Sequence, residues 1–480
     1  MSARFTAEQV AWAAGARIAV PGGPFKGVFT DSRTPVKRGL FVALRGPTFD
    51  GSDFVAQAVQ GGAAGALVPS DAIEKVKPQA ARAALLTAPD TGRALGNLAA
   101  GWRRQLTGLE LVCITGSTGK TSTKELIAEV LAAAGPTLKT EGNLNNEVGV
   151  PLTLLRLSEQ HRYAAIECGM SHLGEIARLA QWSDPDVGLV TNIAPVHLEG
   201  CGSIEGVAHA KGELFHALRD TATAVANADD ARVLAQARLS RRKLVTFGAA
   251  FGSDVRLISA HHGGPGLRVE LEFGGARRMA ELKLIGTHNG YNAAAAAAVG
   301  VALGLDAEII LRGLANATTP GRRMRPVRMP NGALLIDDCY NANPASTKAA
   351  LLTLTHLVRG KGRAIAVLGD MLELGHTELD LHRDVGRFAA GAGLSLLVCV
   401  GERAKALGEG AQEAGLAAES IEYSTDPAEA VRLVQARVRP EDVVLVKGSR
   451  GMKMERVSDA LAEATGSAGE GQKANPTGGT

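Results

Sequence analysis

One stretch, residues 109–130, restricts the fold of this chain more than any other. An apolar run over 109–114 meets Thr115-Gly116-Ser117-Thr118-Gly119-Lys120-Thr121-Ser122, which passes into a helix-forming run over 123–130. A strand, a Gly-rich turn and a helix opening on Lys-Thr are the setting of a phosphate-binding loop. Glycine permits tight turns, and successive amide N–H groups can point at phosphate oxygens. Lys120 adds a mobile positive charge, and Thr121 offers a hydroxyl to Mg²⁺, a hard cation that prefers oxygen. The full pattern carries a further Gly five positions before Gly119, where this chain has Ile114. An ordinary tight connection between strand and helix is therefore the alternative reading of the same residues.

At 480 residues the chain exceeds one comfortable core, and about two to four domains are expected. With 45% hydrophobic and 21% charged residues the composition is globular, and a formal charge of +3 argues against bulk attraction to nucleic acid or to a membrane surface. The opening Met1-Ser2-Ala3-Arg4-Phe5-Thr6 has no signal-peptide core, and no apolar run is long enough to span a bilayer. Cys113, Cys168, Cys201, Cys339 and Cys399 are too scattered for a disulfide framework or a zinc pattern. Small core residues in a reducing cytoplasm are the expectation.

In chain order, residues 1–107 read as a small α/β unit with strands near 39–44, 64–68 and 83–87. Two polar clusters, Asp31-Ser32-Arg33 and Arg45-Gly46-Pro47-Thr48-Phe49-Asp50-Gly51, sit where strands meet loops, the usual place for ligand contacts. Taken alone they also fit ordinary surface turns. Residues 108–320 form a second unit. Its short apolar strands at 163–168, 187–192 and 223–227 have the βα rhythm of a mostly parallel sheet. Ligands bind beyond the carboxyl ends of such strands, which puts Glu167 and Asn192 on the edge that holds Lys120. Glu167 is a metal-ligand candidate or a fold-supporting cap. The loop 141–151, with Asn143, Asn145 and Asn146, suits a ligand-facing segment or an internally capped turn. His197 and Lys211 carry no signal by themselves, since a lone His is mostly structural and Lys before Gly mostly superficial. Alternation around Gly274-Gly275 predicts a β-hairpin over 268–284. A third, Rossmann-like unit covers 321–465, with strands at 333–338, 363–368, 394–400 and 442–447. Its strand ends read as a face that closes over a nucleotide. The tail 466–480 is rich in Gly, Ser and Pro and is expected to be disordered.

Ten segments taken together resemble the Mur ligases over roughly residues 28–460. They are the 115–121 loop, Gly142-Asn143-Leu144-Asn145-Asn146, Glu167-Cys168-Gly169, His197-Leu198-Glu199, Ala210-Lys211-Gly212-Glu213, His288-Asn289, Pro320-Gly321-Arg322, Asp337-Asp338-Cys339-Tyr340-Asn341-Ala342-Asn343-Pro344, Gly369-Asp370-Met371-Leu372-Glu373-Leu374-Gly375 and Val446-Lys447-Gly448-Ser449-Arg450. The ATP loop of that family also lacks the first glycine, so the gap at Ile114 is family-like. The resemblance implies a three-domain α/β fold: a small N-terminal domain that binds a UDP-sugar substrate, a central P-loop ATPase-like domain and a C-terminal Rossmann-like ligase domain. The two long C-terminal segments favour the branch that attaches D-alanyl-D-alanine to a UDP-N-acetylmuramoyl tripeptide in peptidoglycan synthesis.

The resemblance also implies roles. Gly116, Ser117, Thr118, Gly119, Lys120, Thr121 and Ser122 would cradle ATP, with Asn289 and Asn292 on the adenine side. Arg322 would contact the phosphates, and Asp338 and Asn341 the nucleotide on the C-terminal domain. Thr121, Glu167, His197 and a carbamylated Lys211 would hold Mg²⁺. Ser32, Arg33, Arg45, Phe49, Asp50 and Gly51 look like the UDP-sugar region. Asn143, Asn145, Asn146 and His172 would face the muramoyl-peptide channel, and Lys447 and Arg450 would meet substrate. Catalysis would fall to Lys120, Glu167, His197, Lys211 and Arg322, through an acyl phosphate, in a cytoplasmic monomer. Rival readings are the ligase that adds the third peptide residue and a nucleotide-dependent binding module without ligation. A dinucleotide-binding oxidoreductase is disfavoured because no Gly-X-Gly-X-X-Gly opens either sheet.

Overall fold

A computed structural model describes residues 3–80, 83–263, 266–319, 321–358 and 360–463; the 466–480 tail and Pro320 lie outside the described residues. Three mostly parallel sheets carry the chain. The first has five strands in the order Arg17–Val20, Ala84–Ala88, Gly65–Pro69, Leu40–Val42, Val28–Phe29, parallel except for the first pairing. The second has nine, from the antiparallel hairpin Gly266–Phe273 and Ala276–Leu282 at one margin to Thr137–Lys139 at the other. The third has six, with Arg325–Arg328 as its antiparallel edge beside Leu334–Asp338.

Contacts divide the chain into two compact units, one running to Leu284 and including His288–Thr318, the other Ile285–Thr287 with the residues from Thr319 onward. The first unit holds the first two sheets. A continuous apolar core runs from Phe5 and Leu95 through Leu111 to Phe215, across residues 107–108. The second unit contains the third sheet, whose central strands Val443–Lys447 and Ala364–Gly369 are buried at every position. Burial on both faces is why these strands read as continuous apolar runs rather than alternating ones.

Placement of the strand Glu110–Thr115 sets the geometry of the first unit. It lies inside its sheet between Tyr163–Glu167 and Val187–Val190, both parallel to it. The following helix, Lys120–Ala132, begins three residues earlier than the propensity of 123–130 predicts, because Gly119 enters it from the left-handed region at φ +77°. Two helices, Asn289–Ala302 and Ala307–Asn316, pack against it. Small residues allow that approach: a Cβ on Gly313 would lie 2.3 Å from Val130 Cα. The alanine run thus serves as a buried helix face. Among the described residues no helix is long and apolar enough to cross a membrane.

Candidate active site

The loop between strand and helix is held by the neighbouring strand end. Asn192 Oδ1 accepts from the Thr118 amide at 2.9 Å and from its hydroxyl at 3.1 Å, while Thr191 Oγ1 donates to the Thr118 carbonyl at 2.6 Å. Ser117 Oγ bridges the Ala194 carbonyl (3.1 Å) and amide (2.8 Å). Gly116 sits at φ +148°, where a Cβ would lie 1.9 Å from Thr191 Oγ1, so this turn accepts no side chain. Lys120 Nζ donates to the Gly116 carbonyl at 2.7 Å. Asn292 fixes the loop from the other side. Its Oδ1 accepts from Thr123 Oγ1 at 3.1 Å, its Nδ2 donates to Asn289 Oδ1 at 2.7 Å, and it would meet a Cβ on Gly119 at 2.7 Å.

Beside this loop Glu167 is 3% exposed. Its Oε2 accepts from Thr121 Oγ1 at 2.8 Å and its Oε1 from Asn145 Nδ2 at 2.9 Å. The first turn of the helix Lys120–Ala132 and the Asn-rich loop therefore converge on one carboxylate at a strand end. Thr140, a residue sequence reasoning passed over, accepts from the Glu167 amide at 3.0 Å and fixes its backbone. Lys211 lies in the helix Ile204–His216 and is 1% exposed. Burial pushes its amine well below the usual lysine range, and the nearby charge of Lys120 pushes it the same way. No carboxylate among the described residues forms an ion pair with it. Both effects shift the group toward its neutral amine.

The oxygen donors brought together for a cation are those of Thr121 and Glu167. Among the described residues no three His, Cys, Asp or Glu side chains cluster to hold a metal. His197 occupies a left-handed backbone position, φ +53°, opening the short helix Leu198–Cys201. Of the other loop asparagines, Asn146 Oδ1 accepts from the Gly149 amide at 2.9 Å, where Gly149–Leu154 begins, and Asn143 is exposed. His172, also exposed, contacts Glu175 at 3.2 Å. The Asp229-Asp230 strand end is structural: Asp229 accepts from the amides of Ala249 and Ala250, and Asp230 caps Ala231–Leu239.

At the carboxyl edge of the first sheet the two polar clusters lie on successive strand ends. Arg45 is bound by Asp50 (3.0 Å) and Asp71 (2.9 Å), Ser32 Oγ donates to Gln57, and Phe49 is 54% exposed. A Cβ on Gly51 would lie 2.6 Å from the Leu44 backbone, which fixes that turn as glycine. The Arg33 guanidinium beside Asp31 holds the Asp31 carboxyl down at about 2. At the carboxyl edge of the third sheet the charges are paired internally. Lys447 is 3% exposed, and its Nζ donates to Asp338 Oδ2 at 2.7 Å and to the Asn341 carbonyl at 2.8 Å. Arg322 donates to Asp337 at 3.1 Å and to Asp459 at 2.9 Å. Arg450 is exposed.

Comparison with known proteins matches three family models in succession: "Mur ligase family, catalytic domain" over residues 24–103, "Mur ligase middle domain" over 114–300 and "Mur ligase, glutamate ligase domain" over 322–450. The chain is 40% identical over 440 residues to the UDP-N-acetylmuramoyl-tripeptide–D-alanyl-D-alanine ligase of Escherichia coli, covering 91% of this chain and 93% of that one. The chain belongs to the Mur ligase family. This Mur ligase is also 33% identical to the Bacillus subtilis ligase of the same name, over 91% of its own length and 93% of the relative's. Among solved structures, MurF from Acinetobacter baumannii superposes with a TM-score of 0.86 at 33% identity, covering 96% of this chain and all of that one. MurF from Thermotoga maritima, in complex with ADP, gives 0.80 at 26% identity, over 91% and 97%.

Several residues that shape the site of this Mur ligase carry no motif of their own. Asn192, Thr191 and Thr140 act through hydrogen bonds to the loop and to Glu167. Position at or just beyond a strand's carboxyl end put Asn192 on this edge in the sequence, and the same signal could have found Thr191 and Thr140, which neighbour the phosphate loop and Glu167.

Proposed function

We propose that this Mur ligase uses ATP to join D-alanyl-D-alanine to the terminal carboxylate of a UDP-N-acetylmuramoyl tripeptide, a step of peptidoglycan precursor synthesis. The peptide carboxylate attacks the γ-phosphorus, the bond to the β-phosphate oxygen breaks, and an acyl phosphate and ADP result. The dipeptide amine then attacks the acyl carbon, loses a proton, and expels inorganic phosphate from the tetrahedral intermediate. Lys120 and the loop amides offset charge on the phosphoryl oxygens. The family pattern assigns Arg322 to the same phosphates, Asn289 and Asn292 to the adenine side, and Asp338 and Asn341 to the nucleotide on the C-terminal domain.

The observation that carries the reading is Lys211, buried, without a carboxylate partner among the described residues, and within electrostatic reach of Lys120. A lysine kept there as a neutral amine is in the form that attacks CO₂: its lone pair forms the N–C bond and a proton leaves, giving an anionic carbamate. The Thr121 hydroxyl and Glu167 carboxylate, 2.8 Å apart, fit the oxygen preference of Mg²⁺, and with His197 and the Lys211 carbamate would hold it, supplying positive charge for the phosphoryl group. The first-sheet edge, with Ser32, Arg33, Arg45, Phe49, Asp50 and Gly51, is assigned to the UDP-sugar. Asn143, Asn145, Asn146 and His172 are assigned to the muramoyl peptide, and Lys447 and Arg450 to substrate on the C-terminal domain. The domains are taken as 1–107, 108–320 and 321–465, and the working form as a cytoplasmic monomer; five free thiols support the reducing compartment.

Phosphate release measured with ATP, Mg²⁺ and UDP-N-acetylmuramoyl tripeptide, with and without D-alanyl-D-alanine, tests the reading. Sustained release that requires both substrates is expected. Release indifferent to the dipeptide, or none at all, contradicts it.

A further inference from the structure

Tyr340 follows the strand Leu334–Asp338, and two guanidinium groups lie over its ring. Arg323 Cζ is 4.1 Å from the ring centroid and Arg450 Cζ 5.6 Å. The neighbouring cations at this carboxyl edge are committed elsewhere: Arg322 and Arg325 to Asp337, Lys447 to Asp338, and Arg403 to Glu378 at 2.6 Å. Arg323 has no ion pair among the described residues. Arg450 is 65% exposed and reaches Glu455 only at 3.8 Å. Neither side chain donates a hydrogen bond to another described residue. An aromatic face attracts and orients a guanidinium, but two like charges gathered on one ring repel each other, and the single acid near them is Glu455, at 3.8 Å from Arg450. Their N–H forks remain available for an anion, and the planar fork matches a carboxylate through two parallel hydrogen bonds.

We infer that Arg323 and Arg450, presented on Tyr340, receive the terminal carboxylate of the incoming dipeptide and make this Mur ligase select a free carboxyl end. The inference rests on the ligase reading above. In that reaction the dipeptide amine must stay unengaged to attack, so its opposite end is the available handle. The nucleotide phosphates already have the loop amides and Lys120. The Arg323–Tyr340–Arg450 group is a positioning and specificity site that would touch the end of the dipeptide opposite its reacting amine.

Steady-state kinetics of the full chain with D-alanyl-D-alanine and with its C-terminal amide test this. The wild type is expected to favour the free acid. In R323Q and R450Q the KM for the free dipeptide rises by about tenfold or more, as loss of a charge-assisted pair implies, while the KM for ATP and for the UDP-tripeptide stays put. Preference for the acid over the amide falls by the same factor, and R323K recovers part of it. Because Arg450 is exposed, R450Q reports even if R323Q folds poorly. A rise in the KM for ATP with the dipeptide KM unchanged makes the group a phosphate receptor and overturns the inference, as does an unchanged acid-to-amide preference. A wild type that adds no dipeptide at all overturns the ligase reading with it; normal ligation with unaltered variants overturns this inference alone.

Discussion

Two sheet edges in this molecule each bury a lysine, and they treat its charge in opposite ways. At the edge of the third sheet, Lys447 donates to Asp338 and to the Asn341 carbonyl, so its charge is matched by an acid and held by two hydrogen bonds. At the phosphate-loop edge, Lys211 is as deeply buried, has no carboxylate partner among the described residues, and faces the like charge of Lys120. A paired buried charge supports the fold around it, whereas an unpaired one works against the fold. The contrast separates a lysine whose charge the fold satisfies from one whose charge it does not, which burial alone does not do.

The largest expected effect falls on the phosphate-loop edge. K120A should lower ligase turnover by about 30- to 1,000-fold, equivalent to roughly 2–4 kcal/mol of transition-state stabilisation, with its circular dichroism unchanged. Near-normal ADP release in K120A would sink the loop assignment. K211M should lose about 100-fold or more in turnover yet unfold at a higher temperature than the wild type near neutral pH, by about 2–4 °C for each kcal/mol relieved. The sign follows from proton linkage. The folded amine ionises below the unfolded one, so between the two values the unfolded chain binds the extra proton and stability rises with pH. Urea unfolding across that window should show the slope in the wild type and its loss in K211M.

K447M sharpens the comparison from the other side. It leaves Asp338 buried without its cation and should destabilise the second unit by about 3–5 kcal/mol, read by denaturant unfolding. If K447M stabilised and K211M destabilised, the distinction between the two lysines would collapse. The smallest effect belongs to the exposed pair on the first sheet. R33A should leave the unfolding midpoint unchanged, because solvent screens an exposed pair. By NMR titration the Asp31 carboxyl should move up from about 2 toward the ordinary aspartate range. In the wild type the small contribution of this pair is present above that range and fades as pH falls toward about 2.

The elements nearest the chemistry were legible because local pattern and tertiary role agree there. Glycine, Lys120 and Thr121 carry their function in spacing, and Glu167 stands out as an acid ending an apolar strand. The hairpin expected over 268–284 forms as Gly266–Phe273 and Ala276–Leu282 around Gly274 and Gly275, both at positive φ. Lys211 was opaque by residue type alone, since a Lys-Gly pair in a helical run looks superficial and only tertiary packing buries it. The family pattern supplied its role. The ion pair of Lys447 with Asp338 joins residues 109 positions apart, a separation that leaves no local trace. Thr137–Lys139 escaped notice for a simpler reason: three residues are too few to show a period.

Transfer of the γ-phosphoryl group to a peptide carboxylate at the Lys120 edge is best tested by isotope transfer. UDP-N-acetylmuramoyl tripeptide labelled with heavy oxygen in its terminal carboxylate would be turned over with ATP and D-alanyl-D-alanine, and the released phosphate analysed by mass. One labelled oxygen should appear in each phosphate for each amide formed. Amide formation with unlabelled phosphate would contradict the acyl-phosphate route and the role assigned to this edge.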